Sequence, residues 1–213
     1  MKKFHLAAAA VAALAIAGSA SAEGAVAYNA SVTSDYVFRG VSQTAGKAAI
    51  QGGIDYTNGM FYAGTWASNV SFAAYELDLY AGVRPVVGKF SFDAGLITYQ
   101  YADKGLNLTE AKGAVTYALP KGTIGAAFYD NIDAGKFYYY EVNGSYPLSE
   151  KFSLSGAIGE QSYPWLKYST ANVGLTYIIN PTFSIDGRIS GTNLNETVKD
   201  AKPRVSVTVK AAF

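Results

Sequence analysis

The chain has 213 residues, no cysteine, a formal net charge of +1, 50% apolar residues and only 15% charged ones. Without cysteine there is no disulfide framework and no thiolate metal site, and near-zero charge argues against nucleic acid as the main partner. The 17 Tyr, 11 Phe and 22 Gly argue against disorder and lean towards strands.

Residues 1–22 read as a cleaved signal peptide. Lys2 and Lys3 supply the positive start, Leu6 to Ala17 is an unbroken apolar run, and Ala20-Ser21-Ala22 gives a small-x-small cleavage pattern. The run is shorter than the roughly 20 apolar residues a membrane helix needs. Cleavage would remove two of 17 basic residues against 16 acidic ones, moving the net charge to −1. It would also remove His5, the only histidine. Residues 23–213 then form one domain.

From residue 25 onward the apolar residues recur at every second position, the period of strands with two unlike faces. Twelve strands are expected, over 25–38, 47–57, 60–70, 75–85, 89–101, 108–119, 122–130, 137–148, 151–161, 167–179, 182–191 and 203–213. The last is the plainest, with Val205, Val207, Val209, Ala211 and Phe213 alternating with Arg204, Ser206, Thr208 and Lys210. Tight links at 57–59, 85–89, 120–122, 149–151 and 180–182 carry turn residues such as Asn58-Gly59 and Asn180-Pro181. Longer links fall at 39–46, 70–75, 102–107, 131–136, 162–167 and 192–202. Short turns alternating with long loops, on an even strand count, form the pattern of an all-β, antiparallel transmembrane β-barrel.

Charge placement separates that barrel from a soluble sandwich. Asp35, Asp55, Glu76, Asp78, Arg84, Asp93, Glu110, Lys112, Glu141, Asp186, Arg188, Arg204 and Lys210 all lie on the polar parity, while Asp130, Glu160 and Lys167 break the rule only at strand tips. A charge facing lipid at mid-membrane costs roughly 2–4 kcal/mol, so a bilayer would impose this exclusion. These thirteen residues are the candidate pore lining. Aromatics of outward parity fall into two belts, as at a pair of membrane interfaces. Tyr28, Tyr56, Tyr62, Phe90, Tyr117, Tyr146, Phe152, Tyr177, Phe183 and Phe213 lie towards the turn end. Tyr36, Phe38, Phe72, Tyr75, Tyr99, Phe128, Tyr138, Tyr140 and Trp165 lie towards the loop end.

Enzymatic chemistry finds little purchase. A Ser-His-Asp triad or an Asp-His protease pair needs a histidine, and residues 23–213 have none. His- or Cys-ligated zinc is absent for the same reason. Asp130-Asn131-Ile132-Asp133-Ala134-Gly135 lacks the alternating ligand positions of a calcium loop and reads as an outer loop. No catalytic residue, metal or cofactor is expected. Twelve strands fall between a side-chain-filled eight-stranded barrel and an open sixteen-stranded one, so a narrow pore, or one partly closed by inward loops, is expected. Adding Arg39 and Lys47 to the inward cations leaves acidic and basic groups nearly balanced, a difference too small to set an expected ion preference.

Four runs also carry a family resemblance: Ser34-Asp35-Tyr36-Val37-Phe38-Arg39-Gly40-Val41-Ser42-Gln43-Thr44, Ala49 to Tyr56, Phe61 to Val70, and Glu76 to Gly82. This series resembles the TorF porin family of proteobacterial outer-membrane proteins. The resemblance is specific over 34–82 and continues to Phe213 mainly as strand rhythm. It implies a small barrel in the cell outer membrane, in contact with the lipid bilayer, allowing passive diffusion of small polar solutes or ions. The alternative is a closed barrel with a structural or surface-interaction role. A last strand ending in Phe213 resembles the signal read by the barrel assembly machinery.

Overall fold

The computed structural model describes residues 24–133, 135–194 and 198–213; the expected signal peptide lies outside the described residues. Among these, twelve long strands form one sheet. They are β1 (Ala25–Thr33), β2 (Ala49–Asn58), β3 (Phe61–Ser68), β4 (Glu76–Val83), β5 (Phe90–Tyr101), β6 (Leu108–Ala118), β7 (Thr123–Asn131), β8 (Tyr138–Pro147), β9 (Phe152–Tyr163), β10 (Leu166–Ile178), β11 (Phe183–Thr192) and β12 (Arg204–Ala212). Every strand pairs antiparallel with its chain neighbours, and β1 pairs with β12, closing the barrel. Tyr28 and Phe213 exchange backbone hydrogen bonds of 3.0 and 2.9 Å, so the C-terminal residue is zipped into the closing seam. Closure leaves no unpaired edge, which is the condition for a sheet to sit in hydrocarbon.

The turn end is built by the residues read as turns. The Asn180 side chain accepts from the backbone N–H groups of Thr182 and Phe183 at 2.9 and 2.8 Å. The Ser149 hydroxyl does the same for Lys151 and Phe152 at 3.2 and 3.1 Å. Such local bonds reverse the chain in a few residues and set the register of the following strand.

The outer surface is apolar. Ile50, Ile54, Leu79, Leu96, Val142, Leu154, Ile158, Val173, Ile189, Val205, Val207 and Val209 are all exposed. In water this surface would be an aggregation liability; in lipid it is solvated. At the turn end Phe90 stacks near Tyr117 and Phe152 near Tyr177, with ring centroids 4.9 and 5.0 Å apart. At the loop end Phe128, Tyr138 and Tyr140 form a second cluster. The outward charges Glu160 and Lys167 neutralise each other at 2.7 Å, and the Tyr140 hydroxyl donates to Glu160 at 2.8 Å.

Three expectations are corrected. The first strand leaves the wall at Thr33 rather than 38, and residues 34–48 fold into the barrel. Tyr36 and Phe38 are therefore buried inside instead of facing lipid. Their alternation continues across the break because the inward segment is itself a hairpin. The β9–β10 link is only residues 164–165, shorter than the loop expected over 162–167. Tyr62 and Tyr99 point inward, and Phe72 packs against Tyr101 with centroids 5.4 Å apart. The Tyr62 hydroxyl donates to Asp93 at 2.7 Å, an inward partner that outward parity would deny it. Tyr99 likewise reaches Glu110 at 2.9 Å.

Candidate functional site

The thirteen charged residues read from the polar parity all face the interior, in local groups. On the wall nearer the turn end, Asp93 binds Lys112 at 2.7 Å and Arg84 at 3.0 Å. The Arg84 guanidinium also lies 3.9 Å over the Tyr62 ring. Asp55 accepts from the Tyr80 hydroxyl at 2.6 Å. Across the barrel Arg188 binds Asp186 at 3.1 Å, Asn172 at 2.6 Å and Ser155 at 2.8 Å. Glu141 accepts from Tyr139 and Asn143 at 3.0 and 2.9 Å. Lys210 projects from β12, in register with Ser31 and Ser184. These groups are only partly buried, as are Gln51, Thr116, Asn143 and Ser155.

The loop end is different, because residues 34–48 occupy it. Val37–Phe38 pairs antiparallel with Val41–Ser42 around a two-residue connection. Arg39 and Gly40 both have positive φ, 43° and 78°, the conformation of a tight hairpin turn whose twist matches its strands. Gly40 is needed twice, since a Cβ there would also meet the Gly191 carbonyl oxygen at 2.8 Å. The stem is held by Asp35, whose carboxylate accepts from the Ser42 and Thr44 hydroxyls at 2.5 and 3.1 Å and lies 3.4 Å from Arg204. Ser71 donates twice to the Gln43 carbonyl, tying the next loop over the stem. Val41 packs with Tyr168 and Ala201 on the far side. Lys47, counted from the sequence as an inward cation, is exposed on the return limb.

At the hairpin tip Arg39 crosses to the opposite wall. Its Nη1 and Nη2 donate to the two Glu110 oxygens at 2.8 and 2.7 Å, and Nη1 donates to Gln161 at 2.9 Å. The guanidinium carbon lies 4.4 Å from the Tyr139 ring centre, 5.0 Å from Tyr129 and 4.6 Å from Phe38. The two charged side chains are 6% and 2% exposed. Beside this latch Tyr36 donates to Glu76 at 3.2 Å, and Glu76 and Asp78 are both fully buried.

A buried layer rings the hairpin at the loop end. Every wall strand turns a buried residue inward here: Thr33, Ala49, Ser68, Glu76, Tyr99, Glu110, Asn131, Tyr139, Gln161, Tyr168, Ser190 and Ser206. The hairpin and the side chains around it thus pack against every strand of the wall at this end. The interior is densely packed at the loop end and less buried towards the turn end.

Sequence parity found the inward charges but not the latch. Tyr99, Tyr129, Tyr139 and Gln161 were not distinguishable from other strand residues. The one local signal was Phe38-Arg39-Gly40-Val41, an apolar-flanked dipeptide with glycine second, which is a two-residue hairpin pattern.

The family described as "Bacterial protein of unknown function (Gcw_chp)" matches residues 17–213. The chain belongs to that family. No curated protein matches this Gcw_chp family member. Among solved structures, a KdgM porin aligns over 90% of this chain and 99% of its own, with a TM-score of 0.67 and 11% identity. A NanC porin aligns over 89% and 99%, with a TM-score of 0.63 and 9% identity. An outer membrane channel from Pseudomonas putida F1 aligns over 89% and 94%, with a TM-score of 0.53 and 13% identity. At such identities the likeness is one of fold: this Gcw_chp chain has the twelve-stranded architecture of outer-membrane porins.

Proposed function

We propose that this protein is an outer-membrane channel of porin type, closed by hairpin 34–48 and passing small polar solutes or ions when the hairpin withdraws. The observation that carries this reading is the contrast between the partly exposed inward polar groups towards the turn end and the buried layer that one docked segment makes at the loop end. The segment is continuous with the wall only through β1 and β2 at its two ends, and its other ties to the wall are side-chain contacts. Asp55, Arg84, Asp93, Lys112, Glu141, Asp186, Arg188 and Lys210 would line the way to the hairpin, and Asp35, Glu76, Asp78, Glu110 and Arg204 surround the hairpin itself. Because Asp93 is paired with Arg84 and Lys112, and Asp186 with Arg188, the channel favours hydrogen-bonding solutes over ions of one sign. One KdgM structure is "in complex with disordered oligogalacturonate", and the hydroxyl- and amide-rich interior here suits a hydroxylated solute. The segment 34–44, which carries part of the resemblance to TorF porins, is the hairpin itself. Residues 1–22 serve as the export signal, and Phe213, at the closing seam, is the residue read by the assembly machinery.

The buried layer around the hairpin also supports a second reading, a permanently closed barrel with a structural or surface role. Shortening the hairpin separates the two. Thr33 and Ala49 are register partners on neighbouring strands, so a two-residue Asn-Gly turn bridges them without disturbing the wall. In planar lipid bilayers the shortened variant is expected to conduct steadily, and the full-length chain to show rare, brief openings. A full-length chain that never opens, beside a shortened one that does, would establish the closed-barrel reading.

A further inference from the structure

We infer that the pocket holding Arg39 is a binding site for small organic cations of the guanidinium class, and that the hairpin arginine is its built-in occupant. The inference rests on the proposed withdrawal of the hairpin, which would empty the pocket into the lumen.

The pocket belongs to the wall. Glu110 comes from β6, Tyr129 from β7, Tyr139 from β8 and Gln161 from β9; the hairpin contributes only the occupant and Phe38. Three of these wall groups are also held independently of Arg39. Tyr99 donates to Glu110 at 2.9 Å, and Gln161 donates its amide to the Tyr138 carbonyl at 3.0 Å, leaving its oxygen aimed at the pocket. The Tyr139 hydroxyl is anchored by Glu141 and Thr170, both at 3.0 Å. When the hairpin leaves, these bonds remain and the cage keeps its shape.

The chemistry of the cage selects its ligand. A carboxylate engaged through both oxygens matches a planar, forked donor rather than a spherical ion. Aromatic faces at 4.4 and 5.0 Å attract a weakly hydrated cation and repel an anion. A potassium or sodium ion gains little from such rings after losing its water. A free guanidinium compound reproduces every contact Arg39 makes with the wall, so ligand and hairpin compete for one site.

Competition gives a test that does not depend on conduction. In lipid vesicles the full-length barrel is exposed to chymotrypsin, which cuts after Phe38 only when the buried hairpin is out. Ethylguanidinium chloride is expected to raise the rate of that cut several-fold, and sodium chloride of equal ionic strength to leave it unchanged. In Arg39→Ala the empty pocket is expected to bind ethylguanidinium directly. This is read as an upward shift in the temperature at which the fast-migrating folded band is lost on an unboiled gel. Adding Glu110→Gln should weaken that binding about 10- to 100-fold. If ethylguanidinium neither accelerates the Phe38 cut nor stabilises Arg39→Ala beyond sodium chloride, the inference is overturned. Should Arg39→Ala fail to fold, the wild-type cleavage result decides alone. Binding without conductance in any variant would instead sink the channel reading and leave the site standing.

Discussion

Replacing Glu110 by alanine is the sharpest test of the closed state. The carboxylate is 1% exposed and takes both guanidinium nitrogens of Arg39 as well as the Tyr99 hydroxyl. Removing one partner of a buried, hydrogen-bonded ion pair costs about 3–5 kcal/mol, because the surviving charge is left without a counter-ion. In the withdrawn state Arg39 is hydrated, so the whole cost falls on the docked hairpin. At about 1.4 kcal/mol per factor of ten, the docked-to-withdrawn ratio drops by roughly two to three and a half orders of magnitude. Single-channel recording in planar bilayers should register a large rise in open probability for Glu110→Ala and a smaller one for Glu110→Gln, which keeps an acceptor oxygen. A buried pair is screened little, so the effect should persist at high salt. The wall itself loses no strand pairing, and the folded band on an unboiled gel should be retained. A folded Glu110→Ala barrel with wild-type open probability would refute the latch.

Three further outcomes follow from the same geometry. Gly40→Ala, at φ 78° and facing the Gly191 carbonyl, should undock the hairpin and increase conductance, because about 1–2 kcal/mol of backbone strain adds to the steric contact, whereas Gly59→Ala, at φ 58° in the β2–β3 turn with nothing within 4 Å, should leave the hairpin docked. Asp93→Asn removes the anion shared by Lys112 and Arg84, and in the hairpin-shortened barrel the reversal potential in a potassium chloride gradient should move towards the chloride value; no movement would mean that these residues do not border the conducting path. Ile158→Arg places a charge in the middle of β9 on the lipid face, at a position 66% exposed, and should cost about 2–4 kcal/mol of folding in vesicles, read from the folded fraction on an unboiled gel; full folding would argue against a membrane setting.

The sequence by itself determined the wall. Strand number, turn positions and the inward facing of Asp55, Glu76, Asp93, Asp186 and their neighbours were legible because a barrel wall meets two solvents, lipid and the interior, on alternate residues. That alternation is local and reads directly along the chain. What the tertiary structure alone decided is the fate of residues 34–48. Their alternation is the same as that of the wall, since a hairpin docked inside a barrel also has two unlike faces. Whether such a strip is wall or plug depends on partners far along the chain: Arg39 meets Glu110 and Gln161 across 71 and 122 residues. Tyr62 and Tyr99 escaped the sequence reading for a related reason. A tyrosine suits the lipid interface and a hydrogen-bonded interior equally well, and only the position of Asp93 and Glu110 on neighbouring strands settles which side it takes.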